Sequence, residues 1–211
     1  MDSIKNLWYS GSEQEWQKAF NHYYALIQPE QLAIELQFAH VCADSIRKLS
    51  AMEFYDFLHD QYFVWKYTAK NRLATTRKSL EKYIANDELA KLEEIQKQLV
   101  AVPLHQISPC LEIAAQIRGL GTAGASGLLS ILYPEQFGTV DQFVVKRLQE
   151  IEHPIYQAEL NAIDPMQLTI EDGELLIQIM REKAFQLNRK FKTNFWTPRK
   201  IDMLLWAYGR E

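Results

Sequence analysis

The sequence predicts an all-α protein, a compact helical domain, on three observations. Apolar residues recur at the three-to-four-residue spacing of a helix face in one segment after another. Residues that start and stop helices bracket those segments. The aromatic, β-branched stretch Tyr62-Phe-Val-Trp-Lys-Tyr-Thr68 would suit a strand, but no partner strand is evident, so it is read as a helix or a helix plus a turn. Composition agrees. A chain of 211 residues that is 47% hydrophobic and 24% charged, with 8 Gly and 7 Pro, is neither disordered, collagen-like nor a disulfide scaffold.

The elements follow in order. Ser12-Glu-Gln-Glu15 is a capping box, and Trp16, Phe20, Tyr23, Tyr24 and Ile27 continue at helical spacing. Pro29 suits a first helical turn, before Leu32, Leu36 and Ala39. Ser50-Ala-Met-Glu53 is a second capping box, leading to Phe54, Phe57 and Leu58. Asp87 to Val100 is rich in helix formers, and Pro103 interrupts it. A helix from about Pro109 to Ile117, the turn Gly119-Leu-Gly121 and a small-residue helix to Tyr133 follow. Pro134 stops that helix and Asp141 starts the next. A long amphipathic helix begins near Thr169. Thr197-Pro198 is an N-cap with a proline behind it, opening a helix that closes at Gly209.

Several chemistries are excluded. No apolar run approaches the ~20 residues that cross a bilayer, and Met1 to Gly11 is polar without a signal-peptide core, so a cytoplasmic protein without a membrane partner is expected. Cys42 and Cys110 form no CxxC pair. His22, His40, His59, His105 and His153 lack zinc-site spacing, so no metal is expected. Ser126 is outside any nucleophile elbow, and no phosphate-binding loop or dinucleotide fingerprint is present.

The net charge of -4 is unevenly spread. Val64 to Tyr83 sets Lys66, Lys70, Arg72, Arg77, Lys78 and Lys82 against Glu81, a local +5. Arg181 to Lys200 sets Arg181, Lys183, Arg189, Lys190, Lys192, Arg199 and Lys200 against Glu182, a local +6. Two solvated helix faces account for this. If both segments share a face, so does a nucleic-acid surface.

Ile117-Arg-Gly-Leu-Gly-Thr-Ala-Gly-Ala125 carries the most specific signal. Two glycines permit a turn too tight for a Cβ and expose backbone N–H groups at a helix start, an arrangement suited to a phosphate. Ala125, with Gly124, Ser126 and Gly127, lets helices approach closely. The segment resembles the hairpin of helix-hairpin-helix proteins, with Ile117, Gly119, Leu120, Gly121 and Ala125 at the pattern's places. Val140-Asp141 is similar to the Val-Asp that opens the next helix in helix-hairpin-helix DNA glycosylases, where the Asp points into the cleft. The resemblance spans Cys110 to Leu148, about a fifth of the chain. Thr197 to Gly209, and Tyr62 through Arg72, also look like tracts of a group of uncharacterised bacterial proteins without a defined activity.

With no repeat, low-complexity tract or linker, the chain reads as a single all-α unit over residues 1–211, with a helical layer over 1–100 and a hairpin-containing core over 101–211. The resemblance implies DNA as partner and no cofactor beyond a monovalent cation at the hairpin. Gly119, Gly121 and Ala123 would hold the DNA backbone, with Arg118, Lys146, Arg147, Lys66 and Arg72 supplying charge. Asp141 would be catalytic, although Asp is also a favoured N-cap and the two roles are compatible. Trp65, Tyr67, Phe143 and Trp196 are candidates for gripping a flipped base, although core packing is the better account of each, because aromatics in helical register normally build the core. Two departures matter. Ala123 stands where bifunctional members carry a lysine, which removes lyase chemistry at that position, and Phe143 replaces a frequent His. Asp202 is read as a first-turn residue complementing the last helix's dipole. The expected function is a DNA-binding protein resembling monofunctional DNA glycosylases. The alternative is a catalytically inactive DNA-structure-binding or partner-binding protein of the same fold.

Overall fold

In the computed structural model, which describes residues 3–209, the capping signals sit at helix starts. Glu15 N donates to Ser12 Oγ at 3.3 Å while Ser12 N donates to Glu15 Oε2 at 2.6 Å, and Ser50 and Glu53 repeat the arrangement. These residues head α2 (Glu13–Leu26) and α5 (Ala51–Asp56). The polar reading of Met1 to Gly11 missed α1 (Ile4–Ser10), which buries Ile4, Leu7 and Trp8. Met1 and Asp2 lie outside the described residues. Between α2 and α5 come α3 (Pro29–Phe38), with Pro29 in its first turn, and α4 (Ala43–Arg47).

The Tyr62–Thr68 tract is helical to Lys66. A wide i→i+5 turn over Phe57–Tyr62 joins α5 to α6 (Phe63–Lys66), and no sequence signal marks it. Then follow α7 (Lys70–Leu80), α8 (Lys82–Ala85), α9 (Leu89–Leu99), α10 (Ile107–Ala115), α11 (Thr122–Leu132), α12 (Gln142–Glu150), α13 (Gln157–Ala162), α14 (Ile170–Phe191) and α15 (Pro198–Tyr208). Among the described residues there is no strand, and no helix is long and apolar enough to cross a membrane.

Two helices form the centre. α11 is buried at every position except Ala123, and α15 at all but Lys200 and Trp206, so both are wrapped by other elements rather than lying on the surface. α2, α12 and α14 pack on α15, and α10 packs on both α11 and α14. The core therefore joins both ends of the chain. Trp16 of α2 meets Trp196 edge-on, their ring centres 5.5 Å apart.

Candidate functional site

The α10–α11 turn is tight because Leu120 N donates to Ile117 O at 3.0 Å. Gly119 has φ +94°, and a Cβ on it would come within 2.9 Å of the Thr76 carbonyl oxygen. The backbone of α7 therefore lies directly against the hairpin. Gly121 corrects the expectation that both glycines are forced. Its φ is -102°, and a Cβ there would meet nothing within 4 Å. What Gly121 leaves is open space in front of α11, where the first N–H groups of a helix have no partner within it. The carbonyls of Ile117 and Gly121 each accept one backbone amide. Each retains a lone pair with which the turn could hold a monovalent cation.

Charge around this turn is selective. On and beside α7, Lys70, Arg72, Lys78 and Lys82 are exposed. Arg77 instead turns back, donating to His59 O at 3.0 Å. Arg118 is engaged, pairing with Glu88 at 2.5 Å and lying over the Tyr83 ring at 4.6 Å. On α12, which packs on α15, α13 and α1, Lys146 is exposed while Arg147 pairs with Glu150 at 2.5 Å. The second basic segment is split: Arg181, Lys183, Arg199 and Lys200 turn inward while Arg189, Lys190 and Lys192 stay exposed, which corrects in part its reading as a solvated or DNA-facing stripe. Arg181 donates to Gln136 O and Leu104 O, Lys183 to Trp8 O, Lys190 to Gly11 O and Lys200 to Phe195 O.

Asp141 is the N-cap of α12. Its Oδ1 accepts from Phe143 N at 2.9 Å and Val144 N at 3.1 Å, and its Oδ2 takes no hydrogen bond among the described residues. The preceding segment is pinned on both sides. Ser126 Oγ of α11 accepts from Val140 N at 2.9 Å, and Ser130 Oγ lies 3.0 Å from Thr139 Oγ1. From α15, Asp202 Oδ2 accepts from Thr139 N at 2.6 Å. Asp202 is not in the first turn of its helix, as the dipole reading required. It is buried, and Arg199, one turn earlier, donates to both of its oxygens. Arg199 also donates to Glu35 Oε1 at 2.6 Å, and Glu35 Oε2 accepts from Trp65 Nε1 and Tyr23 Oη.

Burial sets the electrostatics here. It pushes the Asp202 carboxyl up to about 6, against the pull of Arg199. The neighbouring Asp202 and Glu35 carboxylates hold the Arg199 guanidinium charged despite its own burial. Sequence reasoning passed over Glu35, Ser126, Ser130, Thr139 and Arg199 as site-forming groups. The Arg199-x-x-Asp202 spacing was the one legible hint.

Lys66 is half-buried, with its stem laid along α11. Its Cδ and Cε would lie 3.3 and 3.4 Å from a Cβ on Gly127, and Tyr62 Oη and Tyr67 Oη approach Gly127 and Gly124 in the same way. The small residues of α11 thus accommodate the Tyr62–Tyr67 segment. Desolvation lowers the Lys66 pKa, partly offset by the charges of Asp141 and Asp202, and Arg199 lowers it further. Its ammonium makes no hydrogen bond or ion pair among the described residues and lies over the Trp65 ring, 6.0 Å from its centre.

Of the aromatic candidates, Trp65 and Tyr67 flank Lys66 and are half-buried, and Arg72 lies over the Tyr67 ring at 5.9 Å. Phe143 is half-buried and edge-on to Trp206. Trp196 is 3% exposed within the Trp16–Phe20–Phe195 cluster, which makes it a core residue and not a base-gripping one. Two cavities, of about 500 and 380 Å³, lie elsewhere, the first beside Gly11 and Tyr208 and the second beside Cys42 and Tyr133. Searches of protein-family models, curated proteins and solved structures find no match to this chain.

Proposed function

We propose that this chain binds DNA through a helix-hairpin-helix and excises a damaged base with Asp141, without cleaving the strand. One observation carries the reading. The basic helix α7, with Lys70, Arg72 and Lys78 exposed, packs its Thr76 backbone on Gly119 of the hairpin. Amides of an open helix start and a set of cations so stand together, as phosphate binding requires. Ala123 and Gly121 line that start. The engaged Arg118 and Arg147 are secondary.

Asp141 fits the chemistry because one oxygen is fixed by two amides and the other is left to act. As the bond between sugar C1′ and the base nitrogen breaks, its electron pair leaves with the base and positive charge grows on the sugar. A fixed carboxylate stabilises that charge and orients the water whose oxygen bonds to C1′. Trp65, Tyr67 and Phe143 would hold the extruded base. The hairpin cation, if bound, only braces the phosphate site.

A second reading, an inactive DNA-structure or partner binder, draws on the same geometry, since capping Phe143 and Val144 alone accounts for an aspartate at 141. Fluorescence anisotropy at two salt concentrations, with plain duplex, an abasic-analogue duplex and single strand, separates the two. Salt-sensitive preference for the abasic analogue supports the excision reading, with Asp141→Asn abolishing excision of a lesion panel while DNA affinity stays within about a few-fold. Salt-sensitive binding without that preference favours the inactive binder. No binding at low salt removes DNA from the account.

A further inference from the structure

We infer that Arg118, Lys91 and Asn86 form a phosphate-binding cradle beside the hairpin, which the Glu88 carboxylate fills from within the chain until a phosphate displaces it. The cradle rests on the reading above only for the source of that phosphate, the backbone diester of a duplex. Three donors from three stretches of chain meet one carboxylate. Arg118 Nη2, in the α10–α11 turn, lies 2.5 Å from Glu88 Oε2. Asn86 Nδ2, between α8 and α9, donates to the same oxygen at 3.3 Å. Lys91 Nζ, in the first turn of α9, donates to Oε1.

Backbone and ring contacts hold the parts in place. The turn at Asp87, with φ +56°, closes α8 as Glu88 N donates to Tyr83 O at 2.7 Å, which sets Glu88 beside Tyr83. The Arg118 guanidinium lies 4.6 Å from the Tyr83 ring centre. Arg118 N donates to Tyr83 Oη at 3.4 Å, and Tyr83 Oη donates to Gln116 O at 3.2 Å. The guanidinium is therefore fixed one residue before Gly119, where the hairpin turns. Two features mark Glu88 as a stand-in. It occupies the N-cap position of α9, yet its side chain caps no amide of that helix. Arg118 Nη1 is buried without a hydrogen-bond partner among the described residues. With Oε1 turned to Lys91, the carboxylate serves one arm of the guanidinium fork, and a phosphate has the further oxygens to span both arms. Hydrogen bonds from Lys91 and Arg118 hold the Glu88 carboxyl down to about 2, so it stays charged and competes with phosphate at neutral pH.

The test compares the full chain with Glu88→Gln, Arg118→Met and the double variant. Anisotropy across a range of salt reads duplex affinity, calorimetry reads binding of inorganic pyrophosphate, and thermal unfolding verifies that each isolated variant is folded. Glu94→Gln, which removes an exposed acid further along α9, controls for net charge. Glu88→Gln should tighten duplex binding about fivefold at low salt and steepen the salt dependence by about one phosphate contact. Glu94→Gln should change affinity less than about twofold, because a charge distant from the phosphate is screened. Adding Arg118→Met should abolish the gain from Glu88→Gln, and pyrophosphate should follow the same order. An equal gain in Glu94→Gln, or a gain that survives Arg118→Met, would overturn the cradle. Arg118-dependent pyrophosphate binding by Glu88→Gln, with no variant binding duplex, would uphold the cradle and overturn DNA as its source. No gain from Glu88→Gln toward either duplex or pyrophosphate would overturn the cradle itself.

Discussion

Arg199 Nη1 lies 2.9 Å from Asp202 Oδ1 one helical turn away on α15, while Asp202 Oδ2 holds the Thr139 amide two residues before Asp141. A buried ion pair therefore fixes the backbone that presents the candidate catalytic carboxylate. Glu35 brings α3 into the same cluster and ties it to Trp65.

Removing Arg199 should be severe. Arg199→Met strands two buried carboxylates, and breaking such a pair costs about 3–5 kcal/mol. Neutralising the partners as well, with Glu35→Gln and Asp202→Asn, should recover part of that loss. Chemical denaturation of the two variants checks both statements. Similar stabilities for the single and triple variants would mean that the charges are not coupled.

The raised Asp202 carboxyl predicts an unusual pH response. Its folded pKa of about 6 exceeds the ordinary 3.8, so between those values the folded state holds more protons than the unfolded one. This group's destabilising contribution is full above pH 6 and fades as pH falls toward 3.8, opposite to a surface-paired carboxylate. Asp202→Asn should therefore make stability fall more steeply between pH 6 and 4 than in the parent chain, as followed by thermal unfolding.

The two hairpin glycines should separate stability from binding. Gly119→Ala places a side chain at φ +94° and against the Thr76 backbone, and should cost about 2 kcal/mol or more. Gly121→Ala meets neither obstacle and should leave thermal stability within about 0.5 kcal/mol. It should still weaken duplex binding several-fold, because its methyl enters the space in front of the α11 amides.

Lys66 should be a residue the fold is better without. Desolvation outweighs the attraction of Asp141 and Asp202, so its charged form is disfavoured on folding. Lys66→Met keeps the stem packed along Gly127 and should raise stability by about 1 kcal/mol near neutral pH. The folded pKa is depressed, so the gain should shrink as pH climbs from the folded value toward 10.5. A melting temperature below that of the parent at pH 7 would count against a desolvated amine.

Helices were legible in the sequence wherever their ends carried chemistry. Ser12, Ser50, Thr169 and Thr197 each cap where expected, because a hydroxyl beside an apolar-periodic run is a local signal. The α10–α11 turn was legible too, although only Gly119 has the constrained backbone. α1 escaped notice because three apolar residues among polar ones are a weak pattern over seven residues. What could not be read was tertiary. Glu35 meets Arg199 across 164 positions, and nothing around Glu35 distinguishes it from a surface residue. Trp196 was misplaced for the same reason, since aromaticity fits either role until packing decides.

The joining of α2 to α15, and of α1 to α14 through Lys183 and Lys190, also bears on how the chain is made. These hydrogen bonds span 175 and 179 positions, so the ribosome delivers one half of each long before the other. The apolar faces of Trp8, Trp16 and Phe20 must wait uncovered during that interval. Such long-range closure slows folding and leaves a nascent chain open to aggregation. A chaperone that shelters emerging apolar segments should therefore raise the yield of this protein.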